Sequence, residues 1–189
     1  MNMPAGQQNT EAPNPLIPNP MAQKIKFEKS VPKPLLNLIH KLQRNYPFFT
    51  DMEDMEVGQF LKLCKRENYE PGKGIFREGD NGNEFFLVVS GEVIITVGEK
   101  EVARMGPGTV FGEMALLDNT RRTASAMVAS PTLLFSISRG VLHSSMPSFA
   151  NKVMEGIARQ LSEKLRDANE TIKKLQRQVN QLEVKKSKI

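Results

Sequence analysis

The side chains best suited to chemistry are concentrated in residues 111–126, whose sequence is FGEMALLDNTRRTASA. A glycine and a carboxylate, Gly112 and Glu113, lie near the start of this segment, and a turn of small apolar residues follows them. The guanidinium of Arg122 then precedes a strand-like Thr-Ala-Ser-Ala run. This order predicts a short helix set between two strands, with a carboxylate at its start and an arginine just beyond its end.

A helix that begins between two strands offers an anion its unpaired backbone N–H groups and a partial positive charge. Gly112 allows the backbone to approach a ligand closely, and Met114 and Ala115 supply a helical turn with little bulk at Ala115. Arg122 adds a guanidinium that binds the oxygens of a phosphate in pairs. The segment is therefore a candidate anion site.

Glu113 does not fit a simple anion site, because a carboxylate repels the anion. It fits when it accepts hydrogen bonds from hydroxyl groups on another part of the same ligand. The pattern then predicts a ligand that carries a phosphate and a nearby sugar hydroxyl. The alternative is that Glu113 only caps the short helix and that Arg122 is a surface residue beside Arg121.

Strands separated by glycine turns must position these residues. From residue 70 onward glycines recur every few residues, and short apolar runs lie between them at 85–89, 92–97 and 133–138. No helix-length segment separates successive runs, so the pattern predicts an antiparallel, jelly-roll-like β-roll rather than a parallel sheet. With helices on both sides, the predicted fold class is α+β.

Two helices are predicted before the strands. Apolar spacing indicates a helix from about Pro32 that ends at Pro47. A second helix is expected over residues 51–69, with Thr50 or Asp51 as its N-cap. Cys64 falls on the apolar side of this second helix and is expected to be buried.

A long helix is predicted after Pro147. Its apolar residues follow heptads, which favours a parallel two-stranded coiled coil and hence a homodimer. The alternative is a single amphipathic helix packed on its own domain, but a tail of about 50 Å is longer than a roll of this size can cover. The core positions are Met154, Ala158, Leu161, Leu165, Ala168, Ile172, Leu175, Val179 and Leu182.

Composition excludes several classes of protein. The chain has 189 residues, no apolar run long enough to span a membrane and no secretory signal pattern. Cys64 is the single cysteine, which excludes an internal disulfide and a cysteine-clustered metal site and favours a cytoplasmic protein. The net charge of +5 lies on the flanks around an acidic middle, and the basic end at KKSK is interpreted as a solvated helix end.

Four regions follow from these patterns. Residues 1–23 form a disordered arm rich in Pro, Asn and Gln. Residues 24–68 hold the N-terminal helices, residues 69–143 the β-roll, and residues 144–189 the C-terminal helix, which is predicted to form a coiled coil.

Two separated motifs resemble those of cyclic-nucleotide-binding domains. Residues 111–116, FGEMAL, and residues 122–124, RTA, match the family's phosphate-binding cassette at its spacing. Upstream, Pro71-Gly72, Ile75 and Gly79-Asp80, followed by Phe86 and residues 90–93, match a second signature of the family. The resemblance covers roughly residues 50–165 and implies a β-roll with helices at both ends that binds cAMP or cGMP.

The resemblance also implies roles for individual residues. Arg122 would pair with the cyclic phosphate, to which the backbone amides near Met114 and Ala115 would donate, while Glu113 and the Gly112 backbone would hold the ribose 2′-hydroxyl. Thr123 would reach the phosphate or a guanine edge, unless it is an ordinary strand residue. Two further candidates for contact with the base are Met105, which otherwise packs in the core, and Asn169, which otherwise is a polar coiled-coil position.

The function expected from these features is that of a receptor rather than an enzyme. No catalytic constellation, metal site or cofactor motif is present in the sequence, and cAMP is expected more than cGMP. Some family members continue into a DNA-reading helix-turn-helix, for which this sequence leaves no room after its long helix, so DNA binding is not expected. Ligand would instead rearrange the C-terminal helix and signal to a protein partner; the alternative is a coiled-coil scaffold with an unliganded roll.

Overall fold

The structure, a computed structural model, describes residues 30–145 and 147–186 together with residues 21, 24, 26 and 27. The predicted disordered arm, residues 1–23, lies outside the described residues except for Met21. Helices open and close the described chain. They are α1 (Lys33–Asn45), a 3-10 turn (Pro47–Phe49), α2 (Asp54–Leu63), α3 (Glu113–Asp118), α4 (Arg139–Ser144) and α5 (Pro147–Lys186).

In the part of the chain that the structure describes, eight strands form two antiparallel four-stranded sheets, which confirms the predicted roll. One sheet has the order β1-β8-β3-β6 and the other β2-β7-β4-β5. The helix α3 lies between β6 of the first sheet and β7 of the second. The strands are β1 (Lys65–Tyr69), β2 (Gly74–Phe76), β3 (Glu84–Ser90), β4 (Val93–Val97), β5 (Lys100–Met105), β6 (Val110–Phe111), β7 (Ser125–Val128) and β8 (Thr132–Ser138).

The side chains of β3 point alternately into two separate parts of the core. Successive side chains of a strand point to opposite faces of its sheet. Phe85 and Leu87 belong to a buried cluster with the helices, whereas Phe86 and Val88 belong to a cluster between the two sheets. This apolar run has no polar face because β3 is covered on both sides.

The second predicted helix is wrong in its extent and its cap. The helix α2 ends at Leu63, and residues 65–69 form β1, which pairs with β8 from Lys65–Ser136 to Tyr69–Thr132. Pairing with β8 outweighs the weak helix propensity of KRENY because it satisfies the backbone groups of both strands. Glu53, rather than Thr50 or Asp51, caps the helix through a capping box with Glu56.

The long helix α5 begins at Pro147, as predicted, and runs to Lys186, a length of about 60 Å. Its first turns are anchored on the domain by three buried apolar side chains, those of Phe149, Val153 and Ile157. Beyond Leu165 the apolar heptad side chains are exposed in the single chain, including Ile172 and Leu175. In the described part of the chain no helix is long and apolar enough to cross a bilayer.

Candidate functional site

A cavity of about 400 Å³ lies where α3, the two sheets and α5 meet. The strands supply an apolar wall, α3 and the residues that follow it supply the charged end, and α5 covers the opening. The lining residues are Phe76, Ile95, Val102, Ala103, Met105, Phe111, Gly112, Glu113, Met114, Ala115, Arg122, Thr123, Ala124, Leu161, Lys164 and Leu165.

The start of α3 brings the predicted anion-binding residues together. Gly112 precedes the helix with φ +75°, a left-handed conformation that favours glycine. A β-carbon added there would lie 2.7 Å from Nη1 of Arg122, so glycine is also needed for space. Within this helix, the side chain of Ala115 is buried, with 2% of it exposed, whereas the side chain of Met114 is 48% exposed.

Arg139, at the start of α4, holds the other end of α3. Its Nη2 donates to the carbonyl oxygens of Ala115 and Leu116, and its Nη1 donates to Asn119 Oδ1 at 2.8 Å. These bonds satisfy carbonyl groups that a helix leaves unpaired at its C-terminus. The short helix is thereby fixed at the end opposite to Gly112.

Arg122 is a buried arginine without a carboxylate partner among the described residues. It is 5% exposed, its Nη1 donates to the carbonyl oxygen of Gly112 at 2.6 Å, and its Cζ lies 4.2 Å from the ring centre of Phe76. Its Nε is buried and has no hydrogen-bond partner within the described part of the chain. Burial lowers the pKa of Arg122, against the opposing effect of Glu84, Asp80 and Glu113.

Gly82 provides the space in which this guanidinium lies. A β-carbon at position 82 would fall 2.6 Å from Nε of Arg122 and 2.7 Å from Cβ of Ala115. Both distances are shorter than real contacts of a β-carbon, so a side chain here would displace the arginine or α3. Gly82 is therefore a part of the site that the sequence motifs did not identify.

A lysine of the long helix α5 donates a hydrogen bond to the Glu113 carboxylate. The carboxylate is 5% exposed, and its Oε1 accepts a hydrogen bond from Nζ of Lys164 at 2.8 Å. The same ammonium donates to the carbonyl oxygen of Val110 at 2.6 Å. Lys164 thus neutralises a carboxylate that would otherwise be buried and unpaired beside the anion site.

One turn earlier, Gln160 fastens α5 to the strand that leads into the cassette, residues 111–124. Its Oε1 accepts from the backbone N–H of Val110 at 2.7 Å, and its Nε2 donates to the carbonyl oxygen of Gly108 at 2.9 Å. Both bonds are buried, so they tie the position of α5 to that of β6. The two residues are four positions apart and therefore share one face of the helix.

Most of the residues proposed from the sequence lie around one cavity. Gly112, Glu113, Met114, Ala115, Arg122, Thr123 and Met105 all line it. Thr123 is exposed toward the cavity and its hydroxyl lies 3.9 Å from the sulfur of Met114. Asn169 is exposed on α5 beyond Leu165 and does not line the cavity of the single chain.

The motifs missed the contributions of Phe76, Gly82, Gln160 and Lys164. The heptad pattern placed Leu161 and Leu165 in a coiled-coil core, whereas in the structure they line the cavity together with Lys164. A lysine and a glutamine four residues apart on a helix that must pass the cassette were the available signal. Among the described residues, no group of three His, Cys, Asp or Glu side chains lies close enough to hold a metal ion.

Comparisons with known proteins agree with this geometry. A family model described as the cyclic nucleotide-binding domain matches residues 66–147. The cyclic AMP receptor protein of Thermus thermophilus is 37% identical over 125 residues, which are 62% of this chain and 58% of that protein. A cGMP-dependent protein kinase of Eimeria tenella is 39% identical over 83 residues, which are 44% of this chain and 8% of the kinase.

Among solved structures, a cyclic nucleotide-binding domain from Methylobacillus flagellatus matches with a TM-score of 0.62 and 25% identity, over 79% of this chain and 83% of that one. The chain spans 58% of the length of its Thermus relative and a small fraction of the Eimeria kinase. The cassette residues lie inside the matched segment, around a cavity of two packed sheets. Residues 66–147 therefore match the cyclic nucleotide-binding domain family in sequence and in fold.

Proposed function

We propose that the chain is a receptor that binds a 3′,5′-cyclic nucleotide in the cavity beside Arg122, with cAMP preferred over cGMP. The observation that carries the proposal is the state of Arg122. Its guanidinium is buried, its Nε has no hydrogen-bond partner in the described part of the chain, and it faces a cavity of about 400 Å³. Burying an unpaired charge is costly, so such a group is a favourable place for an anion.

A singly charged cyclic phosphate meets these requirements. Its oxygens accept paired hydrogen bonds from the Arg122 guanidinium and further bonds from the backbone amides near Met114 and Ala115. Fixing α3 by Arg139 keeps those amides in place before the ligand arrives. Glu113 accepts a hydrogen bond from the ribose 2′-hydroxyl at the same end of the cavity.

The nucleotide base occupies the apolar part of the cavity. Ile95, Met105 and Leu165 line that part, and their side chains offer few polar partners for a guanine edge. Thr123 is the one hydroxyl among the lining residues, and a single hydroxyl is less than guanine's carbonyl and amino groups require. The apolar lining therefore supports cAMP as the ligand.

The long helix transmits the binding event. Leu161, Lys164 and Leu165 of α5 line the cavity, so ligand binding changes the contacts that hold this helix. The shift between its two positions is limited by how differently the ligand binds each of them. The free cysteine, Cys64, fits a reducing, cytoplasmic setting, and the proposed role is regulatory rather than catalytic.

The same helix supports a homodimer with a site for a protein partner. Its exposed apolar residues Leu165, Ile172, Leu175, Val179 and Leu182 follow one heptad stripe. β-branched residues at two a positions, Ile172 and Val179, with Leu175 and Leu182 at the d positions, favour two parallel strands. A rearranged pair of helices would present a different surface to the partner.

Calorimetric titration of the purified chain with cAMP, cGMP and linear 5′-AMP tests the ligand. We expect saturable binding of cAMP, weaker binding of cGMP and little binding of 5′-AMP. Arg122→Ala should lower the affinity by about 30-fold or more, because truncating one partner of a buried charge pair costs about 2–5 kcal/mol. Arg121→Ala is the matched control, since Arg121 is exposed and bonds only the Gly79 carbonyl among the described residues.

No heat with either cyclic nucleotide, together with no thermal stabilisation, would contradict the receptor and leave the scaffold alternative. A cGMP affinity above that of cAMP would retain the receptor and overturn the choice of base.

A further inference from the structure

We propose that Phe76 is a positioning residue of the phosphate subsite. The face of its ring holds the Arg122 guanidinium in place, so that the arginine needs no carboxylate partner and keeps its hydrogen-bond donors for the anion. This inference rests on the proposed function and assigns a residue outside the cassette to it. Phe76 lies in β2, which pairs with β7, the strand that follows the cassette.

The contact between this ring and the guanidinium has the geometry of a cation–π interaction. Cζ of Arg122 lies over the Phe76 ring at 4.2 Å from its centre, and it is 5.6 Å from the centre of the Phe86 ring. Both distances fall within the roughly 6 Å over which the negative face of an aromatic ring attracts a cation. The attraction is strongest when the cation is removed from water, and Arg122 is buried.

Two phenylalanines of the other sheet support the Phe76 ring. Phe86 of β3 and Phe111 of β6 are register partners, and their rings stack with their centres 5.2 Å apart. The centre of the Phe76 ring lies 5.8 Å from that of Phe86 and 6.0 Å from that of Phe111. Because Phe86 and Phe111 are buried, close packing fixes the ring that contacts the guanidinium.

A ring holds the guanidinium without occupying its hydrogen-bond donors. The five N–H donors of an arginine point outward in the plane of the guanidinium, whereas an aromatic ring attracts the cation through its face. Within the described chain, Nη1 of Arg122 donates to the Gly112 carbonyl oxygen at 2.6 Å, while the buried Nε has no partner. The donors that remain are therefore available to the oxygens of a phosphate.

The carboxylates near Arg122 are not its partners. Burial lowers the pKa of Arg122, and the opposing effect of Glu84, Asp80 and Glu113 is smaller. None of the three forms an ion pair with the arginine in the part of the chain that the structure describes. Asp80 accepts from the backbone N–H of Arg77 at 2.8 Å, and Glu113 accepts from α5. A carboxylate on the guanidinium would compete with the phosphate for its donors, whereas a neutral ring stabilises the cation without competing.

Calorimetric titration of Phe76→Leu with cAMP tests the assignment. Leucine keeps an apolar side chain at this half-buried position and removes the aromatic face. We expect the affinity for cAMP to fall about three- to tenfold, the change that corresponds to loss of a cation–π contact at a desolvated site. Phe76→Tyr keeps the aromatic face and should bind cAMP within about twofold of the wild type.

A double-mutant cycle separates an effect through the arginine from a direct contact with the ligand. In an Arg122→Met background, Phe76→Leu should cause no further loss of affinity, because no guanidinium is left to position. Phe27→Leu is the matched control and should leave the affinity for cAMP unchanged. Phe27 is also half-buried, but it packs on the helical part of the core beside Gly58.

Nuclear magnetic resonance tests the position of the ring without any ligand. A proton over the face of an aromatic ring is shielded by the ring current, so the Nε proton of Arg122 should resonate upfield of that of the exposed Arg121. The upfield shift should diminish in Phe76→Leu and persist in Phe76→Tyr. Loss of the resonance in Arg122→Met assigns it.

Other results would overturn the assignment. An equal loss of affinity from Phe76→Leu in the Arg122→Met background would mean that the ring contacts the ligand itself. A Phe76→Leu affinity within about twofold of the wild type would mean that the ring has no role, and an unchanged Nε resonance would mean that the ring does not lie over the guanidinium. Failure of the wild-type chain to bind cAMP, with the upfield shift present, would instead overturn the proposed function and the phosphate role of Phe76 with it.

Discussion

Gly82→Ala is predicted to damage the ligand site from a position that has no side chain of its own. Gly82 lies outside the helices and strands and does not have positive φ, so an alanine is compatible with its backbone. The added β-carbon, however, would lie 2.6 Å from Arg122 Nε and 2.7 Å from Arg122 Cζ. The substitution therefore acts mainly by moving the guanidinium or the helix packed against it.

The size of the effect of Gly82→Ala on stability and on cAMP affinity follows from crowding at the new β-carbon and from displacement of the Arg122 guanidinium. Overpacking a well-packed site costs about 1–3 kcal/mol, which for a chain of this size lowers Tm by roughly 2–12 °C. A displaced guanidinium forfeits part of the ~2–5 kcal/mol that a buried charge pair is worth. The affinity for cAMP should therefore fall at least about tenfold.

Gly74→Ala is the matched control, because a β-carbon there meets nothing within 4 Å and Gly74 also lacks positive φ. Thermal unfolding with and without cAMP, followed by calorimetric titration, measures both effects in the same samples. The reasoning would be refuted by Gly82→Ala binding cAMP within about threefold of the wild type, since crowding at Arg122 would then be without consequence.

Three further substitutions test other parts of the account. Arg122→Met should leave the free energy of unfolding of the unliganded chain within about 1 kcal/mol of the wild-type value. Removal of a buried charge offsets the loss of the hydrogen bond to the Gly112 carbonyl oxygen. A much lower free energy of unfolding in chemical denaturation would contradict this balance. Leu175→Glu changes a residue on the exposed apolar stripe of α5 and should convert the dimer into a monomer, as measured by sedimentation velocity. It should not weaken the binding of cAMP by each chain. A wild-type chain that is monomeric at micromolar concentration would refute the coiled coil. Partial burial raises the pKa of the Cys64 thiol to about 11 from 9.0, so the unfolded chain loses this proton first and the wild-type free energy of unfolding should fall between pH 9 and pH 11. Cys64, which the sequence predicted to be buried, is half-buried in the structure. Cys64→Ala should lack this part of the fall, and identical pH profiles of the two chains would show that partial burial does not perturb the thiol.

The glycine turns and apolar runs were enough to predict the antiparallel roll, because strand alternation and turn chemistry are local signals. The cassette was equally local, since FGEMAL and Arg122 lie within residues 111–122. Gly112 and Arg122 could be placed at one site for that reason.

Features that depend on contacts between distant segments could not be predicted in the same way. Residues 65–69 form a strand because β8 lies beside them, although their sequence alone is compatible with helix. Gly82 is required by the volume of Arg122, which is forty residues away in sequence. The heptads of α5 indicated apolar faces but not that Leu161 and Leu165 cover a cavity, because one periodic stripe fits either a partner helix or the domain itself.

A crystal structure of the chain with cAMP would test the central claim most directly, since that claim concerns where one phosphate lies. We expect a phosphate oxygen at roughly 2.7–2.9 Å from Nε of Arg122, which has no partner in the unliganded chain among the described residues. We also expect the ribose 2′-hydroxyl on Glu113. A nucleotide bound elsewhere, or bound in the cavity with its phosphate away from Arg122, would contradict the account.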